Sequence, residues 1–86
     1  MMTLQRLIQE NREMKGLSQS ELSEIIGTDP VMIGRWERGV NKPSYEMLRA
    51  LCISLTIPPG MALELHWVCD KEGLNNTLAS IWEPKD

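Results

Sequence analysis

Between Leu17 and Gly39 the chain reads LSQSELSEIIGTDPVMIGRWERG, and the punctuation of that stretch leaves room for two short helices joined by a tight turn. Ser18 followed three residues later by Glu21 is a capping box, in which each side chain satisfies a free backbone donor of the first turn. A helix therefore starts at Gln19. Leu22, Ile25 and Ile26 share a face at spacings of three and four, and Gly27 stands where a left-handed residue stops the helix. Asp29 can cap a second helix, and Pro30 suits its first position, where a missing N–H costs nothing and φ is already helical. The second helix is expected from Pro30 to about Arg38. Ile33 and Trp36 point inward, Val31, Gly34 and Arg35 point elsewhere, and Gly39 closes the element. A turn this short makes the two helices cross steeply.

The flanks continue the helical reading. Thr3 caps a first helix whose apolar positions Leu4, Leu7, Ile8 and Met14 mostly keep the helical period, with Arg6, Gln9, Glu10 and Glu13 outside and Lys15-Gly16 at its end. Val40-Asn41-Lys42-Pro43 is a polar loop. Ser44 then caps a helix with the stripe Tyr45, Leu48, Leu51, Cys52 and Leu55, a core face in which free Cys52 acts as a small hydrophobe. Thr56-Ile57-Pro58-Pro59 breaks it. From Gly60 two periods compete, because Met61, Leu63, Leu65 and Trp67 alternate like a strand while Met61, Leu65 and Val68 fit a helix. His66 reads as a surface or packed imidazole rather than a ligand or base. Asp70-Lys71-Glu72-Gly73 reads as a turn, after which Leu74, Leu78, Ile81 and Trp82 form one face of a final short helix ended by Pro84.

With three Trp, one Tyr and no Phe among 86 residues, a core must be built from Leu, Ile and Met, which suits one small helical domain. Cys52 and Cys69 lie seventeen apart with no CxxC, and the chain has one His. Neither a zinc site nor a disulfide framework is indicated, and no metal or cofactor is expected. No apolar run approaches a membrane span, and the Met-Met start lacks the blocks of a signal peptide, so a soluble cytoplasmic protein is expected. The absence of a nucleophile–base pair, metal cluster or phosphate loop argues against an enzyme.

Net charge is −3, the wrong sign for binding phosphates, but the acidity is uneven: residues 1–57 hold seven basic and seven acidic side chains, residues 58–86 two against five. Within the first part, Arg35, Arg38, Lys42 and Arg49 face only Glu37 and Glu46. That is a modest local cationic excess.

The segments KGLSQSELSEIIG, IGRWERGVNKPS and MLRALCISLTI, in that order and spacing, resemble the DNA-binding domains of the phage lambda repressor and Cro type over roughly Leu4 to Ile57. The resemblance implies an all-α, lambda-repressor-like helical bundle of about five helices with a short C-terminal helical extension. The DNA-binding domain would occupy residues 1–59, with its helix-turn-helix at 18–39. Residues 60–86 would be an extension that packs on the domain or dimerises, and helix is the favoured reading after Gly60. The implied function is a sequence-specific transcriptional regulator of phage or bacterial type, a repressor bound as a homodimer to a palindromic double-stranded operator.

By the same resemblance, Pro30, Val31 and Arg35 take the base-reading positions, with Met32 or Gly34 close by. Arg35 is the long donor there and can bind O6 and N7 of guanine in bidentate fashion. Val31 departs from the polar readers typical of such domains and can only touch or exclude a thymine methyl; for Val31 and Met32, burial against a partner is the alternative. Arg38, Asn41 and Lys42 match a backbone clamp. Gln19 stands at a helix start, where its amide and the free backbone donors can hold a phosphate. All four can equally be solvated polar residues. Arg12 and Glu37 match a structural ion pair between the first helix and the recognition helix, the alternative being two solvated charges. Acidic charge and an apolar reader keep a second function open, a protein-binding adaptor or antitoxin on the same fold.

Overall fold

Five helices succeed one another in the computed structural model: α1 (Leu4–Met14), α2 (Gln19–Ile26), α3 (Pro30–Arg38), α4 (Tyr45–Leu55) and α5 (Pro59–Gly73). The structure describes the backbone of residues 2–73 and the side chains of residues 2–68. Among the described residues there is no strand, and no helix is long and apolar enough to cross a membrane.

The first four helix starts are each made by the residue whose side chain can replace a missing carbonyl. Thr3 Oγ1 accepts the Arg6 N–H at 3.2 Å, and Ser18 and Glu21 form the reciprocal box at 3.0 and 2.8 Å. Asp29 Oδ1 accepts the Val31 N–H at 2.8 Å with Pro30 opening the helix behind it, and Ser44 Oγ accepts the Met47 N–H at 3.2 Å. Gly27 ends α2 and Gly39 ends α3, both left-handed at φ 76°. At Gly39 a side chain would also crowd α1, since a Cβ there would lie 2.5 Å from Gln5 Nε2, which would have to shift. The α4 terminus is unusual. Thr56 takes the left-handed conformation (φ 58°), which a β-branched residue adopts at a cost, and its N–H bonds the Cys52 carbonyl. The gain that offsets this strain follows one residue later, where Ile57 donates to the same carbonyl at 3.0 Å and buries its side chain.

The apolar faces of all five helices meet in one core. Leu4, Leu7 and Ile8 of α1 join Leu22 and Ile26 of α2, Ile33 and Trp36 of α3, Leu48, Leu51 and Leu55 of α4, Ile57, and Ala62 of α5. Helix α3 packs on α1 and α2, while α4 and α5 close the other side against α1 and each other. Burying each such aliphatic chain is worth about 1.5 to 3 kcal/mol, and helices this short are stable only when packed.

Four sequence expectations change. Met14 is 81% exposed, and the last inward position of α1 is filled instead by Arg12, whose aliphatic stem can cover apolar surface while its head is paired. Ile25 is 56% exposed. In its place α2 buries Ser23, whose hydroxyl bonds the Ser20 carbonyl at 2.7 Å and whose small volume suits a helix packed on both α3 and α4. Tyr45 lies outside the α4 stripe at 63% exposure, its ring resting on His66 with centroids 4.7 Å apart. Asp70-Lys71-Glu72-Gly73 is no turn but the last part of α5, a stretch in which nothing before Gly73 opposes helix.

The competition of periods after Gly60 resolves as helix, with Pro59 at its start. Ala62 and His66, four apart, are buried and Leu65 is half-buried, while Leu63 and Trp67 face out. A strand here would have had no partner strand to satisfy its backbone. Burial pushes the half-buried Cys52 thiol above its ordinary pKa, in keeping with a packing role. The final helix expected from Leu74, Leu78, Ile81 and Trp82 lies outside the described residues.

Candidate nucleic-acid interface

The outer side of α3 is set by what its inner side is tied to. Ile33 and Trp36 are sunk in the core, so Val31, Arg35 and Arg38, spaced by four and three, form an exposed line along the helix, with Pro30 exposed at its start. Val31 is 59% exposed, whereas Met32 is half-buried against the core. Among the described residues, Arg35 and Arg38 make no ion pair. The helix thus presents two uncompensated guanidinium groups and an apolar side chain, donors suited to base edges and phosphates.

A polar network behind this face fixes its position. Arg12 Nε donates to Glu37 Oε2 at 2.6 Å and Arg12 Nη2 to Glu37 Oε1 at 3.1 Å, so α1 and α3 are joined by a two-pronged pair. The two side chains are only 11% and 5% exposed. The third prong, Nη1, donates to the Leu17 carbonyl at 2.7 Å, in the segment that leads into α2. Gln19 completes the link by donating from Nε2 to Glu37 Oε1 at 2.9 Å. One carboxylate therefore holds α1, α2 and α3 together. Hydrogen bonding to Glu37 raises the Arg12 pKa above its already high value against the opposing effect of burial, with the charges of Glu37 and Glu13 adding to the rise. Arg12 stays charged throughout the working pH range.

Gln19 and Arg38, expected in separate backbone contacts, converge. Both side chains reach the point where Gly34 would carry a Cβ: Arg38 Nη1 lies 3.1 Å from it, Gln19 Oε1 3.5 Å and Gln19 Nε2 3.8 Å. Gly34 itself is buried under them. Asn41 is exposed and Lys42 half-buried in the loop after α3. That loop is anchored from an unexpected quarter, because the buried His66 ring of α5 shares a 2.7 Å hydrogen bond from Nε2 with the Pro43 carbonyl. Sequence reading treated His66 as a packed or surface ring and missed this partner, a contact twenty-three residues away that no local pattern signals. It also gave Gln19 no protein partner and Gly34 no purpose. A glycine inside a nine-residue helix, where it costs about 1 kcal/mol relative to alanine, was the one available hint.

Pro30, Val31, Arg35 and Arg38 therefore lie along the outer side of α3, Gln19 reaches that helix at Gly34, and Arg12 and Glu37 stand behind it. Among the described residues, no group of three His, Cys, Asp or Glu side chains is placed to hold a metal ion. A family model described as helix-turn-helix matches residues 8–60, from within α1 to the start of α5. No curated protein and no solved structure matches the chain.

Proposed function

Because the chain belongs to the helix-turn-helix family of the lambda repressor and Cro type, a family of DNA-binding regulators, we propose that it is a cytoplasmic, sequence-specific transcriptional repressor. In this reading the N-terminal half of α3 enters the major groove, with Pro30, Val31 and Arg35 against base edges. Arg38, Asn41, Lys42 and Gln19 hold the flanking phosphates. The observation that carries the reading is the exposed line of Val31, Arg35 and Arg38 on a helix pinned from behind by the buried Arg12–Glu37–Gln19 network. Rigid placement matters because base contacts tolerate little positional error, and one helix reads only a few base pairs. A homodimer on half-sites roughly 34 Å apart supplies the rest, with the chain beyond Gly73 contributing to the dimer.

Binding to labelled genomic fragments across a salt series, with light scattering for mass, tests this. A repressor of this kind enriches particular fragments and loses affinity with salt at a slope of roughly −0.9 per phosphate neutralised. Uniform or absent binding at low salt would overturn it. One observation favours the second reading, a protein-binding adaptor or antitoxin: an apolar side chain, Val31, is 59% exposed at a base-reading position. That reading calls for a protein complex with almost no salt slope, disrupted by Val31→Glu.

A further inference from the structure

Helix α3 is interrupted in composition by Gly34, whose backbone is ordinary α-helix and needs no glycine. Alanine there would strengthen the helix. What the missing side chain provides is space. On a helix, side chains lean toward the N-terminus over the residue four before them, and Arg38 accordingly lies back across Gly34 with Nη1 3.1 Å from the point a Cβ would occupy. Gln19 closes the same spot from α2 with Oε1 at 3.5 Å, and its amide is turned this way because Nε2 is held by Glu37 at 2.9 Å. A Cβ at 3.1 Å is tighter than ordinary packing allows, and the atom that must yield is the tip of an exposed, flexible arginine. Substitution therefore displaces Arg38 rather than the fold.

We propose that Gly34 is a positioning residue for DNA binding: by lacking a side chain it leaves the space across which Arg38 lies back, at the spot Gln19 reaches from α2, so that the guanidinium is offered to the phosphate backbone from there. The inference rests on the DNA-binding reading above and deepens it by placing Gln19 and Arg38, on two different helices, at one spot over Gly34. It gives Gly34→Ala opposite effects on stability and binding. The free protein gains helix propensity, and its melting temperature rises by about 4 °C or more. Affinity falls for every sequence alike, because a phosphate contact and not a base contact is disturbed.

The test uses the full chain with Gly34→Ala, Arg38→Ala and the double variant, bound to a random-sequence duplex and to an enriched fragment over a salt series. Arg38→Ala is expected to weaken both by roughly tenfold, the order expected for one charge-assisted hydrogen bond, and to flatten the salt slope by about one. Gly34→Ala should lose a measurable but smaller part of that affinity, since the methyl displaces the Arg38 tip without removing it, while melting higher, and should add nothing once Arg38 is gone. A residual loss in the Arg38→Ala background would mean that the new methyl itself meets the DNA, and would overturn the proposal. So would Gly34→Ala binding as tightly as the parent. An arm without DNA separates this from the function: the Arg38 guanidinium resonances of the free protein should shift in Gly34→Ala, because the methyl displaces the Arg38 tip. An unmoved resonance overturns the hold of Gly34 on Arg38, whereas a parent protein that binds no duplex, with the resonance moved, overturns the DNA reading alone.

Discussion

Arg35 and Arg38 stand on the same helix one turn apart, yet their surroundings differ. Arg35 is exposed with no protein partner among the described residues, free to follow a base edge, whereas Arg38 is laid over Gly34 beside Gln19. Arg35→Ala should therefore weaken the preferred site selectively, by about 1 to 3 kcal/mol. Lys42→Ala should weaken all duplexes alike and reduce the salt slope by about one. Competition between preferred and random DNA distinguishes them, and unchanged discrimination in Arg35→Ala would remove Arg35 from the readers. Thr56 is a residue with a different burden, a β-branched side chain at φ 58°. Thr56→Gly should raise stability by about 1 kcal/mol in urea denaturation, because the strain is relieved at a terminus whose hydrogen bonds come from the backbone. A loss of stability instead would show that the threonine side chain contributes packing that exceeds its strain.

Between elements, the strongest single tie is the carboxylate of Glu37, which receives Arg12 from α1 and Gln19 from α2 while belonging to α3. Its energetics follow from burial: at 11% and 5% exposure, screening by water is slight, and removing one partner strands the other charge. Glu37→Leu and Arg12→Met should each cost about 3 kcal/mol in denaturant titration. The double variant Arg12→Met with Glu37→Leu should recover part of that loss, since a buried pair replaced by apolar groups of similar volume is often close to neutral. A double variant that loses the sum of the two singles would show that the pair is not coupled. By contrast, Arg6 and Glu10 form an i,i+4 bridge at 2.6 Å with 56% and 44% of their side chains exposed, and contribute little. Helix α5 belongs to the same bundle through Ala62 and His66, and His66 carries the tie onward to the loop that holds Asn41 and Lys42.

For the molecule as a whole, the open quantity is valency. The core among the described residues is closed by all five helices, and in the proposed function one α3 would cover a single half-site. Dimerisation is proposed for the chain beyond it, where Leu74, Leu78, Ile81 and Trp82 repeat at helical spacing. Truncation after Gly73 should then yield a folded monomer that binds DNA far more weakly than the full chain, measured by light scattering and anisotropy together. A truncated protein that remains a dimer would remove that role from the tail, and one that fails to fold would place the tail in the intramolecular core.

Local chemistry was legible in the sequence because it acts over three or four residues. Ser18 with Glu21, Asp29 with Pro30, and Ser44 each set a helix start through a donor on the next turn, and Gly27 and Gly39 set ends through a conformation that other residues avoid. The sequence by itself therefore determined the number, order and limits of the first four helices, and the period of Ile33 and Trp36 determined which side of α3 is hidden. It could not settle positions where two helices compete for one residue. Ile25 and Met14 fit their own helical period yet face solvent, because the neighbours of α1 and α2 made room for Arg12 and Ser23 instead. Only the tertiary structure decided that Gln19 bonds Glu37, that His66 holds Pro43, and that Gln19 of α2 reaches over Gly34 of α3. Each joins residues of different elements or depends on the space between them, and side-chain packing across elements, unlike a cap or a turn, leaves no fixed spacing in the chain.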